Sequence, residues 1–167
     1  MLRFLFPGLT ARPERGAELF DAVTREARQP HWYRQGGVPD TLDGRFAVVA
    51  TVTALVLVRL ESGGEAGDAA SVALTERFVA VMEAEHRELG LGDPGLGKKV
   101  RKLVSALGRR VDLWRAAIAK DDFAEATLES LGSAGGDSLS HDVRALRDLW
   151  ARLEAASVDD LARGTLG

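Results

Sequence analysis

The sequence predicts an all-α fold, a single-domain compact bundle of about six helices. Three observations carry that expectation. Apolar residues recur at three- and four-residue steps through most of the chain, the period of one helix face. Glycine-rich breaks separate these stretches at intervals suited to helices. The one run with strand-like composition is longer than strands usually are and has no second strand candidate to pair with. With 167 residues, 46% apolar and 28% charged, the chain is long enough to bury a real core and close to globular averages.

In order along the chain, residues 1–13 are expected as an N-terminal extension of a helical domain over 14–163. Residues 14–29 gather Leu19, Phe20, Val23 and Ala27 on one side, and Pro30 limits the helix by pushing Gln29 out of the α region. A turn-rich loop, Gly36 to Thr41, follows. Residues 42–61 form the most apolar segment. Its β-branched residues (Val48, Val49, Thr51, Val52, Thr53, Val56, Val58) favour a strand locally, but length favours a helix. Ser62 to Gly67 is expected as a flexible connector. A helix over 68–89 carries Val72, Leu74, Phe78, Val79, Met82 and Leu89, and a glycine-rich loop runs from Gly90 to Gly97. Residues 96–119 show the clearest stripe: Leu96, Val100, Leu103, Val104, Leu107, Val111, Trp114 and Ile118. A short helix near 121–131, a linker from Ser133 to Ser138, a helix over 139–156 and a closing turn at 158–163 complete the reading.

Several function classes are excluded or weakened. Without cysteine there is no disulfide, thiol nucleophile or thiolate metal site. The apolar run Phe46 to Val58 has 13 residues, where a membrane span needs about 20, so it reads as a core helix. The N-terminal Met1-Leu-Arg-Phe-Leu-Phe-Pro-Gly stretch is much shorter than a signal-peptide core. A soluble, cytoplasmic protein is expected.

In the segment Gly90-Leu-Gly-Asp-Pro-Gly-Leu-Gly-Lys-Lys99, Gly90, Gly92 and Gly95 match G-x-G-x-x-G, and Gly92, Gly97 and Lys98 match the first seven places of the phosphate-loop pattern. Both patterns work only where a strand delivers the loop to a helix N-terminus. Here a helical segment precedes it, and Lys99 stands where a magnesium-binding hydroxyl belongs, so the loop reads as a helix break. The helix it launches carries seven bases against the single Asp112, a net of +6, which leaves −9 for the rest of a chain whose net is −3. A solvated ridge paired with Glu76, Glu83, Glu85 and Glu88 explains this as well as contact with a phosphate-rich partner such as ribosomal RNA or lipid headgroups. No aromatic residues interleave with the bases, which weakens base stacking.

Glu83 and His86 form half of a di-iron carboxylate motif, but Ser138 stands three before His141, where the second half needs a Glu. His31, beside Trp32 and Tyr33, reads as a packing or interface residue. No serine sits in a nucleophile elbow, and no acid pair lies among apolar residues that would raise its pKa. No cofactor, metal, small-molecule substrate or DNA is expected, and no catalysis.

Two stretches resemble the ubiquinol–cytochrome c chaperone family: Gln29-Pro-His-Trp-Tyr-Arg-Gln-Gly-Gly-Val-Pro-Asp-Thr-Leu-Asp-Gly-Arg-Phe46 followed by the apolar helix and Arg59-Leu60, and Leu89-Gly-Leu-Gly-Asp93 leading into Gly97-Lys-Lys-Val-Arg-Lys102. Order and spacing agree over roughly residues 14–130. The chain departs from the family's pattern at Pro94, at Ala106 and Leu107, and around Val52 to Leu55. These departures bear on the client more than on the fold.

The resemblance implies an all-helical, non-enzymatic assembly chaperone for a newly made respiratory membrane protein, most of all cytochrome b of the bc1 complex. In mitochondria such proteins act with a small helical partner near the ribosomal tunnel exit. It further implies partner-binding roles for Trp32, Tyr33, Asp40, Thr41, Asp43 and Arg45 in the first stretch, and for Lys98, Lys99, Arg101 and Lys102 in the second. The ribosome and peripheral contact with the inner membrane belong to the same expectation. The competing reading is a ribosome- or RNA-binding factor acting through the basic helix. From the residues alone, Asp40 or Thr41 is placed to cap the helix that follows, and Arg45 to pair with Asp40 or Asp43.

Overall fold

The computed structural model describes residues 16–88 and 95–167. The N-terminal extension and most of the glycine-rich loop, including Gly90, Gly92, Asp93 and Pro94, lie outside the described residues. Among those described there is no strand. Among the described residues the six long helices are α1 (Ala17–Ala27), α3 (Leu42–Leu60), α4 (Gly64–Glu88), α5 (Leu96–Lys120), α6 (Ala124–Leu131) and α7 (Gly136–Ala155). Two short ones, α2 (His31–Arg34) and α8 (Val158–Ala162), complete them.

The β-branched segment forms α3, and it is the axis of the bundle. Helices α1, α4, α5, α6 and α7 all pack on it. From Ala50 to Val58 every residue is buried, so this helix is apolar all round rather than on one stripe. Its two interior threonines return their hydroxyls to their own backbone, Thr51 to the Ala47 carbonyl and Thr53 to the Val49 carbonyl, both at 2.7 Å. Burial thus overrides a β-branched composition that is unfavourable in an isolated helix. Taken through to Glu85, the helical stretch from Leu42 is long and apolar enough to cross a membrane by length and composition, with half of its most apolar window buried.

The expected flexible connector at 62–67 is instead helical. Glu61–Gly63 is a 3-10 turn, and α4 begins at Gly64. Gly67 lies so close to the end of α3 that a Cβ there would stand 2.1 Å from the Leu60 carbonyl oxygen. Glycine at this bend serves close backbone approach, not mobility. Helix α7 likewise starts at Gly136, earlier than the sequence suggested.

The core unites Leu19, Phe20, Trp32, Leu55, Leu74, Phe78, Leu107, Trp114, Leu146, Leu149, Leu153 and Leu161. Each such side chain contributes roughly 1.5–3 kcal/mol by leaving water. Phe20 and Trp114 make edge-on contacts with Phe78 and Phe123, at ring distances of 6.4 and 5.4 Å. Two residues counted on apolar stripes face outward: Val72 is 59% and Val104 44% exposed.

Candidate functional site

The first sequence block runs from the end of α1 to the start of α3, and most of it is explained by folding. Helix α1 ends with free carbonyls, as every helix does. The Trp32 indole donates to the Glu26 carbonyl at 2.9 Å and the Tyr33 hydroxyl to the Ala27 carbonyl at 3.0 Å. Trp32 is fully enclosed, its ring buried beneath the turn while its indole closes the end of α1. Tyr33 is half-buried, and burial pushes its hydroxyl pKa up.

Glycines close the turn. A Cβ on Gly36 would stand 2.0 Å from Asp142 Oδ1, and one on Gly44 1.8 Å from the Pro39 carbonyl oxygen. Thr41 caps α3, its hydroxyl accepting from the Gly44 amide at 3.1 Å. Of the two acids offered to Arg45, the fold chooses Asp40, at 2.7 Å. The pair holds the Asp40 carboxyl below the ordinary carboxylate range, chiefly through the Arg45 hydrogen bond. Asp43 is exposed in the first turn of α3, where a negative charge suits the helix N-terminus.

Packing leaves one residue of this block unaccounted for. Leu42 is 63% exposed at the first position of α3. It sits on the edge of a groove of about 950 Å³ between α1, α3 and α4. The floor is apolar, with Phe20, Tyr33, Phe46, Val49, Val81 and Met82. The rim is charged, with Asp21, Arg28, Arg34, Asp40, Arg45 and Glu85. Tyr33, Asp40 and Arg45 of the sequence-derived set therefore share one cleft. Leu42 carried no signal of its own in the sequence, because a lone leucine among helix residues reads as core.

The second block, Lys98, Lys99, Arg101 and Lys102, lies on the first turns of α5 and lines a neighbouring groove of about 680 Å³. Arg109 joins it from one side and Phe46 from α3 closes another. Phe46 borders both grooves and so connects the two blocks. Among the described residues none of these five bases has an ion-pair partner, and the acids of α4 do not reach them. Arg115, further along the same helix, is held by Glu61 and Asp112. The segment before the glycine-rich loop is helix α4, so the strand that a nucleotide loop needs is replaced by a helix.

Away from both grooves, His31 Nδ1 and His141 Nε2 meet at 3.1 Å. Burial, then the neighbouring His141, lowers the His31 pKa, opposed by Glu26 and aided by Arg152. Asp142 is fully enclosed and accepts from the Ser133 hydroxyl at 2.6 Å, and burial raises its pKa. The sequence showed neither feature, since the residues lie about 110 positions apart in the histidine case. No group of three metal-ligating side chains exists among the described residues, and the side chain of His86 lies outside them.

Comparison with known proteins agrees with this architecture. The solved Cbp3 homolog from Brucella abortus superposes with a TM-score of 0.77 at 26% identity, covering 98% of this chain and 94% of that one. No curated protein matches the chain. A profile described as "Ubiquinol-cytochrome C chaperone" matches residues 34–166, which takes in the Val38–Arg45 turn, both grooves' α3 residues and the basic start of α5. The chain belongs to the ubiquinol–cytochrome c chaperone family.

Proposed function

We propose that the protein is a non-enzymatic assembly chaperone that holds newly made cytochrome b for the ubiquinol–cytochrome c reductase complex, working from the cytoplasm against the inner membrane. Family membership supports the assembly-chaperone role. The observation that carries the contact is Leu42, an exposed apolar side chain beside a cleft with an apolar floor and a charged rim. Such a cleft suits one face of a client helix, with aromatic and methionine side chains adapting to it. Asp40 and Arg45 orient the client at the rim and Tyr33 meets it from the floor, while Thr41 and Asp43 hold the helix end that presents Leu42. Chaperoning needs only binding and release, so no reacting group has to be supplied.

The test is an affinity pull-down from detergent-solubilised membranes with the native chain and with Leu42→Asp. Cytochrome b is expected with the native chain and lost with the variant. Recovery of other membrane proteins without cytochrome b, or equal recovery by both chains, overturns the reading. Deleting the gene is expected to lower the assembled bc1 complex while leaving its messenger unchanged.

A further inference from the structure

We propose that the basic groove formed by Lys98, Lys99, Arg101, Lys102 and Arg109 beside Phe46 docks on the phosphate headgroups of an anionic membrane surface. The proposal stands apart from the client cleft and does not rest on it.

Charge placement comes first. Outside residues 96–119 the chain carries a net of −9, so acids are plentiful. Even so, among the described residues no acid lines this groove and none of its five bases has an ion-pair partner. An ordinary solvated ridge on an acidic protein would collect counter-charges, as Arg115 does with Glu61 and Asp112 on the same helix. Gathering like charges without partners destabilises the free protein, and an anionic surface removes that cost.

Shape and apolar content choose between anionic partners. From Lys98 to Arg109 the helix advances about 16 Å, so the bases meet several phosphates side by side rather than one small anion. Leu103 and Phe46 are half-buried in the same groove, and Val104, 44% exposed, adjoins it on the helix. Lysine and arginine stems lying over apolar side chains, with their charged ends outward, are the pattern of a helix resting at a membrane interface. RNA fits less well. A single-stranded partner needs aromatic faces for its bases. Among the described residues Phe46 is the one aromatic in the groove, and the Arg110 guanidinium already covers its ring at 5.8 Å.

The experiment is flotation of the purified full chain with two vesicle preparations, phosphatidylcholine alone and equal parts phosphatidylcholine and phosphatidylglycerol. Binding is expected to the mixed vesicles only and to fall as salt is added. Each base near such a surface is worth about fivefold in partitioning, so Lys98→Gln with Lys102→Gln lowers binding about twentyfivefold. Both positions are exposed and unpaired, so circular dichroism and Tm stay unchanged, and Lys120→Gln serves as a control that keeps full binding. Equal binding to both vesicle types overturns the proposal, as does full binding by the double variant. So does release by millimolar inorganic phosphate at constant ionic strength, which marks a small-anion site. Co-sedimentation with ribosomal RNA that the double variant loses, without vesicle binding, assigns the groove to RNA instead. Leu42→Asp, which lies outside this groove, is expected to keep full vesicle binding, so failure here and failure of the client reading are separable.

Discussion

Arg59, near the end of the central helix, closes the far end of α7: its Nε donates to the Leu153 carbonyl at 2.8 Å. A terminal nitrogen of the same guanidinium donates to the Ala156 carbonyl at 2.7 Å, and the other to the Ser62 hydroxyl at 3.0 Å. The last carbonyls of a helix have no partner within it, and a cation there also offsets the negative end of the helix dipole. One side chain thus ties α3, the turn after it and α7 together. Arg59→Met keeps the stem and removes the donors. It is expected to destabilise the fold by roughly 2–4 kcal/mol, read as a lower urea midpoint with an unchanged slope.

Gly44→Ala tests the turn before α3. The added methyl would meet the Pro39 carbonyl oxygen at 1.8 Å, backbone that cannot step aside without losing the Thr41 cap. A loss of about 2 kcal/mol or more is expected in thermal unfolding. Gly97→Ala, with open space around it, is the matched control and is expected to be neutral or slightly stabilising.

The histidine contact makes stability depend on pH. The folded state depresses the His31 pKa below its ordinary 6.5, so the neutral ring is the form the fold favours. Its contribution is complete above that value and is lost as pH falls through the folded pKa. The native chain is expected to lose Tm between about pH 7.5 and about pH 5.5, and His31→Gln to flatten that loss.

Asp142 acts with the opposite sign. Its folded pKa is raised above the ordinary 3.8, so its contribution is complete in acid and is lost as pH rises through the folded pKa. Asp142→Asn removes the buried charge and keeps an oxygen for the Ser133 hydroxyl. The new amide nitrogen takes the place of Oδ1, which has no partner, beside the Trp32 carbonyl; both lie within 2.6 Å of where a Gly36 Cβ would stand. The variant is expected to gain about 1–2 kcal/mol near neutral pH and nothing at about pH 3, measured by urea unfolding at both.

Asp40→Ala separates partner contact from folding. Both ends of the Asp40–Arg45 pair are more than half exposed, so water already screens it and Tm is expected to hold. Capture of the client is expected to weaken. A variant that lost stability without losing capture would show the pair to be structural.

The helical order was legible in the sequence because periodicity records which face is buried, and α1, α5 and α7 appear close to where it placed them. The cap by Thr41 and the pairing of Arg45 were legible too, since both act within five residues. What failed were inferences about exposure. Val104 and Val72 sit at apolar-stripe positions yet face out, and Trp32 resembles an interface residue yet is sealed. The 62–67 stretch resembles a flexible linker, yet its Gly67 lets two helices touch.

By itself, the sequence determined an all-helical chain, the order of its helices, the polarised charge and the family to which two motifs pointed. Each of these depends on neighbours a few residues apart, and local spacing encodes such neighbours directly. The tertiary structure decided that α3 is the axis, that Leu42 stands at a cleft, that Phe46 joins that cleft to the basic groove, and that His31 meets His141. Those facts depend on helices distant in sequence arriving side by side. The burial of His31 and Asp142, and the pKa shifts that follow from it, arise only at that point, when water is removed from between the helices.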